Sequence, residues 1–128
     1  MKIKQIFAPG VTSGTSLMGY VKVTYADLVE AFGEPNSIGD GYKTDAEWIL
    51  EIDDTIVTIY NYKTGKNYNG EDGDDVEDIT DWHVGGYTKT AVDLVREALF
   101  WKKRRFNYGD YDGFETIETV YFWEANEC

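Results

Sequence analysis

The alternation of hydrophobic and polar positions is clearest near the middle of the chain. Residues 46–52 and 55–62 are rich in β-branched and aromatic side chains, and only Asp53 and Asp54 separate them. Two such runs joined by so short a connection are typical of a β-hairpin, which we predict here. Shorter runs of the same character predict two further strands, at 19–23 and 80–84.

Helical spacing of apolar residues marks two segments. The first helix is predicted over 24–32, where Thr24 caps the start, Gly33 ends the helix, and the spaced residues are Tyr25, Leu28, Val29 and Phe32. The second begins at Thr88 or Thr90, and its apolar stripe is formed by Ala91, Val92, Leu94, Val95, Ala98 and Leu99. The order strand, helix, hairpin, strand, helix predicts an α+β domain with two helices packed on a small, mostly antiparallel sheet.

The remaining segments show no sustained periodicity. Residues 5–20 are turn-rich, and Gly85 with Gly86 is expected to end the third strand in a turn. From Phe106 onward the sequence is compatible with either a strand or a helix. Residues 106–128 are expected to be a loosely packed C-terminal extension. No linker divides the chain, and we predict a single domain over residues 1–128.

Composition and charge narrow the function classes. The chain of 128 residues has 12 Lys and Arg against 24 Asp and Glu, which gives a net charge of −12. This balance argues against direct binding of nucleic acid and equally against an anionic membrane surface. The first residues lack the apolar core of a secretory signal, and no stretch is apolar enough to span a membrane. The single cysteine, Cys128, cannot form an internal disulfide, and we predict a cytoplasmic protein.

The side chains that catalysis needs are scarce. His83 is the only histidine, and no serine lies in the Gly-x-Ser-x-Gly pattern of a nucleophile. Cys128 is a terminal residue that is hard to hold in place, and together with His83 it provides too few ligands for zinc. We therefore predict no catalytic residues, no metal and no cofactor. A hydrolase that uses carboxylates and a divalent metal ion ranks last.

One segment concentrates negative charge. Seven carboxylates without an intervening base belong to Glu71, Asp72, Asp74, Asp75, Glu77, Asp78 and Asp81. Their mutual repulsion favours an exposed, solvated loop. Two alternatives stay open. Clustered oxygens suit calcium, although the spacing fails the EF-hand pattern, and spaced carboxylates can mimic DNA phosphates in the basic groove of a partner protein.

A second candidate site surrounds the third strand, where an aromatic residue and the histidine precede two glycines and a helix. Backbone amides at a helix start attract anions, aromatic rings stack on bases, and lysine pairs with phosphate. The residues are Trp82, His83, Gly85, Gly86, Tyr87 and Lys89. The turn at 14–20 would form an opposite wall, and Tyr42 with Lys43 adds a ring and a cation elsewhere. In the structural alternative, Trp82 belongs to the core and the glycines to a simple turn.

Five short motifs stand out as a set. They read GTSL at 14–17, FGEP at 32–35, GYKTDAEW at 41–48, TIYN at 58–61 and WHVGG at 82–86. Together they resemble a family of small acidic phage-encoded proteins of unassigned function, and the resemblance covers about residues 10–96. It implies a viral origin and expression in the cytoplasm of an infected bacterium.

These observations predict a non-catalytic phage protein that antagonises a bacterial defence system. By analogy, small phage proteins bind a defence protein or sequester its nucleotide messenger, and the first is our leading hypothesis. The partner is then a host defence protein that binds nucleic acid or takes part in signalling, and in the sharpest version the chain is a DNA mimic. The alternative is a sponge that holds a nucleotide at the second candidate site. Because such nucleotide-sequestering proteins are frequently homo-oligomers, a homo-oligomeric state of this chain is a further alternative.

Overall fold

A six-stranded β-sheet forms the framework of the chain, whose described residues in the computed structural model are 1–8, 10–108 and 117–120. The strands are β1 (Ile3–Ile6), β2 (Ser16–Lys22), β3 (Glu47–Ile52), β4 (Thr55–Tyr60), β5 (Asp81–Gly86) and β6 (Ile117–Val120). Their order across the sheet is β2-β5-β4-β3-β1-β6, and every pair is antiparallel except β1 with β6. The predicted α+β fold with a small, mostly antiparallel sheet is therefore confirmed.

Among the described residues, three α-helices accompany the sheet, one more than predicted. They are α1 (Tyr25–Phe32), the single turn α2 (Lys66–Asn69) and α3 (Thr90–Tyr108). The start of α1 is capped as predicted: the Thr24 hydroxyl accepts a hydrogen bond from the Asp27 N–H at 3.0 Å, and the Asp27 carboxylate accepts one from the Thr24 N–H. No helix within the described ranges is long and apolar enough to cross a membrane.

The core lies between the helices and one face of the sheet, as the alternation along the central hairpin predicts. Trp48, Leu50 and Ile52 in β3 are fully buried, whereas the residues between them are half-buried. Trp48 and Trp82 meet edge to face with their ring centroids 5.5 Å apart. Removing these indoles and their aliphatic neighbours from water provides the main stabilising contribution to the fold.

Two glycines let α3 lie close to the sheet. A Cβ atom at Gly19 would come within 2.9 Å of Val92, and one at Gly86 within 2.7 Å of Ala91. A side chain at Gly86 would have to displace the helix, and one at Gly19 would have to displace at least the Val92 side chain, since carbon atoms do not approach one another so closely. The first turn of α3 therefore packs directly on β2 and β5.

The prediction that Gly85 and Gly86 form a turn is wrong. Both glycines lie within β5, where Gly85 pairs with Leu17 of β2 on one side and with Thr58 of β4 on the other. A strand between two neighbours forms hydrogen bonds along both edges, and these outweigh the low intrinsic preference of glycine for strands. Glycine is required here by the close approach of other groups rather than by a change of chain direction.

The interpretation of 5–20 as turn-rich is wrong at both ends. β1 includes the first residues of this range, and β2 begins at Ser16, earlier than the strand predicted over 19–23. β1 is too short to show a period, and a β-bulge between Leu17 and Gly19 interrupts the alternation in β2. Of the predicted extension 106–128, the end of α3 and the strand β6 belong to the described residues, and the remainder lies outside them.

Candidate binding surface

The antiparallel register brings two long connections together at one end of the sheet. Tyr60, at the end of β4, lies opposite Glu47 at the start of β3 and opposite His83 near the start of β5. The connections 33–46 and 61–80 therefore begin or end side by side. Both contain residues that the sequence analysis singled out.

Asn61 joins these two connections. Its side chain is fully buried, and Oδ1 accepts hydrogen bonds from the N–H groups of Asp45 at 2.7 Å and Ala46 at 3.1 Å. Nδ2 donates to Asp45 Oδ1 at 2.8 Å and to Thr64 Oγ1 at 3.3 Å. All four hydrogen-bonding positions of the amide are used, which fixes the two connections relative to each other.

Further hydrogen bonds extend this link toward the surface. The N–H of Lys63 donates to the carbonyl of Lys43 at 2.8 Å. Asp40 Oδ1 accepts from the N–H groups of Tyr42, Lys43 and Thr44. These hydrogen bonds, that from Tyr42 foremost, hold the pKa of Asp40 below its usual value. The surface part of these connections is therefore held by hydrogen bonds to backbone N–H and carbonyl groups.

Two Tyr–Lys dipeptides lie side by side as a result, and we call the group formed by Tyr42, Lys43, Tyr62, Lys63 and Tyr68 the tyrosine–lysine platform. The ring centroids of Tyr42 and Tyr68 are 5.1 Å apart. Lys63 Nζ lies 5.3 Å from the ring centroids of both Tyr62 and Tyr68, and Lys43 Nζ lies 5.9 Å from that of Tyr62. The three rings stay exposed, Tyr42 by 56%, Tyr62 by 39% and Tyr68 by 37%. This surface offers flat apolar rings and two cations together.

The sheet face turned away from the helices carries a second group, which we call the aromatic face: Tyr20, Tyr60, Tyr62 and His83. The His83 ring meets Tyr20 edge-on at 4.8 Å and Tyr60 at 5.4 Å, and it stacks on Tyr62 at 5.3 Å between centroids. Burial lowers the pKa of His83, and the nearby Asp81 partly opposes this by raising it. At pH 7 the imidazole is therefore predominantly neutral and adds to the apolar surface.

Glu47 borders the aromatic face. The Ser37 hydroxyl donates a hydrogen bond to Glu47 Oε1 at 2.7 Å. Burial raises the pKa of Glu47, the hydrogen bond from Ser37 lowers it, and the charge of Asp40 raises it. Burial also raises the pKa of Tyr60, and the charge of Glu47 adds to that effect. This edge of the face is partly screened from water, where polar contacts are stronger than at an open surface.

The acidic segment is built from hydrogen-bonded turns, and we call residues 70–78 the acidic turns. They contain two 3-10 helices, Gly70–Asp72 and Val76–Asp78. Between these, the N–H of Asp74 donates to the carbonyl of Thr64 at 3.0 Å. After them Ile79 is buried, and its carbonyl accepts a hydrogen bond from Trp82 Nε1 at 3.2 Å. The segment is thus anchored at its middle and at its end.

All seven carboxylates of the segment are exposed, as predicted: Glu71, Asp72, Asp74, Asp75, Glu77, Asp78 and Asp81. Asp75 forms an ion pair with Lys66 at 3.0 Å, and both side chains are more than half exposed. Within the part of the chain that the structure describes, no group of three or more His, Cys, Asp or Glu side chains is arranged to hold a metal ion. The seven carboxylates present negative charge to the solvent.

Trp82 offers no surface to a ligand. Its side chain is fully buried, packs on Trp48 and donates a hydrogen bond to the carbonyl of Ile79. Alternate side chains of a strand point to opposite faces, so Trp82 points toward the helices while His83 points toward the aromatic face. The structural alternative, a core tryptophan, therefore applies, and of this neighbouring pair only His83 lies at the candidate surface.

The other predicted ligand residues lie at opposite ends of β5. Gly86 ends the strand and Tyr87 and Lys89 follow it, whereas Tyr42 and Lys43 lie near its N-terminal end, where Tyr62 stacks on His83. The structure therefore does not bring these two sets into one pocket. Gly85 is buried inside the sheet, so its backbone amide is not accessible to a ligand.

Tyr87 has a structural role at its end of the sheet. Its hydroxyl donates hydrogen bonds to the carbonyls of Val11 at 2.9 Å and Ser13 at 2.7 Å. It thereby ties the start of α3 to the turn that precedes β2. The segment 14–20, proposed as an opposite wall, belongs largely to β2, which is the neighbour of β5 in the same sheet.

Sequence reasoning missed the rings and cations that the fold brings beside Tyr42 and Lys43. Tyr62 and Lys63 repeat the same dipeptide later in the chain, and this repetition is the signal that would have indicated them. No protein-family model and no curated protein matches this chain. A function must therefore be argued from the surface itself.

Proposed function

We propose that this chain is a non-catalytic phage protein that antagonises a bacterial defence system by binding a host protein in the infected cytoplasm. The contact is centred on the acidic turns, and the partner presents a basic surface of the kind that binds nucleic acid. The observation that carries this proposal is the display of exposed carboxylates on turns that the fold holds in place.

Fixed carboxylates favour binding more than mobile ones. The hydrogen bond from Asp74 to Thr64 and the burial of Ile79 order the backbone before any partner arrives. Binding then costs less free energy, because the chain is already ordered. The carboxylates also keep a constant spacing. Complementary charge also steers the encounter and discriminates against neutral partners.

The aromatic face supplies apolar contact area next to this charge. Asp81, the last carboxylate of the segment, opens β5, and His83 follows two residues later on the same side of the strand. Tyr20 and Tyr62 are exposed by 49% and 39%. Exposed tyrosines beside charged groups are typical of residues that contribute most to the free energy of protein association.

Two further observations favour binding over catalysis and indicate a phage context. The His83 side chain forms no hydrogen bond with any described residue and is in contact with three aromatic rings instead. A general base needs a hydrogen-bonded nucleophile and an orienting group, and His83 has neither among those residues. The phage context rests on the sequence motifs, which resemble phage-encoded proteins.

The test is capture of host proteins from infected cells with the tagged chain and a fourfold variant: Asp74→Asn, Asp75→Asn, Glu77→Gln and Asp78→Asn. The matched control neutralises four exposed carboxylates elsewhere, by Glu30→Gln, Asp54→Asn, Asp93→Asn and Glu97→Gln. We expect the wild type and the control to retain the same host protein. The variant should lose it, and the capture should weaken steeply between about 50 and 200 mM salt.

The phage carrying each variant should behave accordingly. Plaque formation on hosts that have the captured defence protein should fall for the fourfold variant alone, and it should be normal on hosts without that protein. Displacement of the captured partner by duplex DNA would identify the contact as DNA mimicry. A fourfold variant that captures the same protein and protects the phage as well as the wild type would exclude the acidic turns as the contact.

A further inference from the structure

Lys43 and Lys63 are the cations of the tyrosine–lysine platform, and neither forms an ion pair with a carboxylate of the described residues. The chain has twice as many acids as bases, yet neither ammonium lies within 4 Å of a carboxylate of the described residues. Both are placed by the ring of Tyr62 instead. The nearby Asp40 accepts three backbone hydrogen bonds through Oδ1, and its negative charge acts on Lys43 without forming an ion pair within 4 Å. The platform therefore places two lysine ammonium groups close together on an acidic protein, an arrangement that suits an anionic group.

The platform is held in shape before a ligand arrives. Lys63 has a left-handed backbone with φ of 60°, a conformation that side-chain-bearing residues adopt at a cost. Its N–H is bound by the carbonyl of Lys43, and its own carbonyl accepts a hydrogen bond from Asn69 Nδ2 at 2.9 Å. Such ordering reduces the entropy lost on binding.

The rings define the rest of the ligand. Tyr62 is already stacked on His83 and lies beneath both ammonium groups, whereas Tyr42 is the most exposed of the three rings, at 56%. An aromatic base stacks on such an exposed ring whatever its identity. The net charge of −12 opposes a long polyanion, whereas one or two phosphates need only the local cations. We propose that the tyrosine–lysine platform binds a free nucleotide, with its base stacked on Tyr42 and its phosphate held by Lys43 and Lys63.

The charged residues of this site differ from those of the proposed contact with a host protein, and Tyr62 is the one residue that the platform shares with the aromatic face. The test measures the heat of binding and the melting temperature of the whole chain with four probes: AMP, GMP, ADP-ribose and cyclic di-AMP. At about 100 times its Kd, a probe that binds only the folded chain should raise Tm by several degrees. Adenosine and inorganic phosphate, each half of the ligand, should bind at least about tenfold more weakly.

Variants assign the binding to the platform. The double substitution Lys43→Gln and Lys63→Gln should weaken nucleotide binding at least about tenfold, whereas Lys22→Gln with Lys89→Gln, which changes the charge equally, should not. Tyr42→Ala, which leaves the Tyr62 ring that places both lysines intact, should weaken binding of the nucleotide but leave that of inorganic phosphate unchanged, and Tyr42→Phe should restore the wild-type affinity. Equal binding of phosphate alone, equal binding by the Lys43/Lys63 variant, or no binding of any probe to the wild type would each overturn the proposal. All these readouts are independent of host-protein capture.

Discussion

Asn61 and Asp45 hold each other in a reciprocal pair: the Asn61 carbonyl oxygen accepts a hydrogen bond from the Asp45 backbone N–H, and the Asn61 amide donates one to the Asp45 carboxylate. The two residues come from the two connections that carry the candidate surface. Asn61 is fully buried, and Asp45 is half-buried. Local stability and the shape of the binding surface are therefore linked at this point.

Replacing Asn61 by alanine should destabilise the fold by about 2–3 kcal/mol, because the N–H groups of Asp45 and Ala46 would lose their acceptor in a buried position. Urea denaturation should show a lower midpoint with an unchanged slope. Asn69→Ala is the control: Asn69 is exposed and bonds carbonyls only, so we expect a loss of less than about 1 kcal/mol. A loss at Asn61 no larger than at Asn69 would show that the pair is not a structural link.

Glu47→Gln should raise the melting temperature at pH 7. Burial raises the pKa of Glu47, so ionisation costs stability above the folded-state pKa, and glutamine removes this cost while keeping an acceptor for Ser37. Below the unfolded-state value of 4.5 both states are protonated, and the advantage should vanish. Melting curves of both proteins between pH 3.5 and about pH 7.5 test this. An advantage that is constant over the whole range would mean that the carboxylate carries no burial penalty.

His83→Phe should make stability less sensitive to mild acid. Burial lowers the pKa of His83, so the unfolded chain takes up a proton below the usual value of 6.5 while the folded chain resists it. The wild type should therefore lose stability as the pH falls below that value, and stability should return as the pH rises. Phenylalanine keeps a ring against the three tyrosines but cannot titrate. Parallel loss of Tm in both proteins from about pH 7.5 to 5.5 would contradict this assignment.

Gly73→Ala should disorder the acidic turns and weaken capture of the host protein. A Cβ atom at Gly73 would overlap the carbonyl oxygen of Gly65, next to the hydrogen bond from Asp74 to Thr64. Gly70→Asn is the control, since Gly70 has φ of 64°, which asparagine tolerates, and nothing lies within 4 Å of its Cβ position. Backbone NMR shifts of 70–78 and capture yield should change together in the Gly73 variant. Unchanged capture by a variant with altered shifts would show that the fixed shape of the turns is unnecessary.

The sequence predicted the elements whose signals are local. Thr24 and Asp27 cap α1 as their spacing indicates, and the central hairpin follows from alternation and from the two-residue Asp53–Asp54 connection. Both depend on contacts between residues close in the chain, which propensity and periodicity describe well.

The rest depends on contacts between distant residues. Gly85 is in a strand because β2 and β4 lie on either side of it, and no local preference of glycine indicates this. Tyr62 and Lys63 reach Tyr42 and Lys43 only through Asn61 and the register of β3 with β4. The carboxylates were recognisable by their number, but their anchoring to Thr64 required the fold.

The strand order has a kinetic consequence. Among the strands that the structure describes, only β3 and β4 are joined by a tight turn, whereas Ile3 pairs with Ile117 and Ser16 with Gly86. Closing such large loops is slow, so the outer pairings should follow the hairpin during folding. Of the two connections that carry the candidate surface, 33–46 runs from α1 to the hairpin and 61–80 runs from the hairpin to β5. They should reach their native arrangement only after β5 has docked, which makes ligand competence a late event in the folding of this chain.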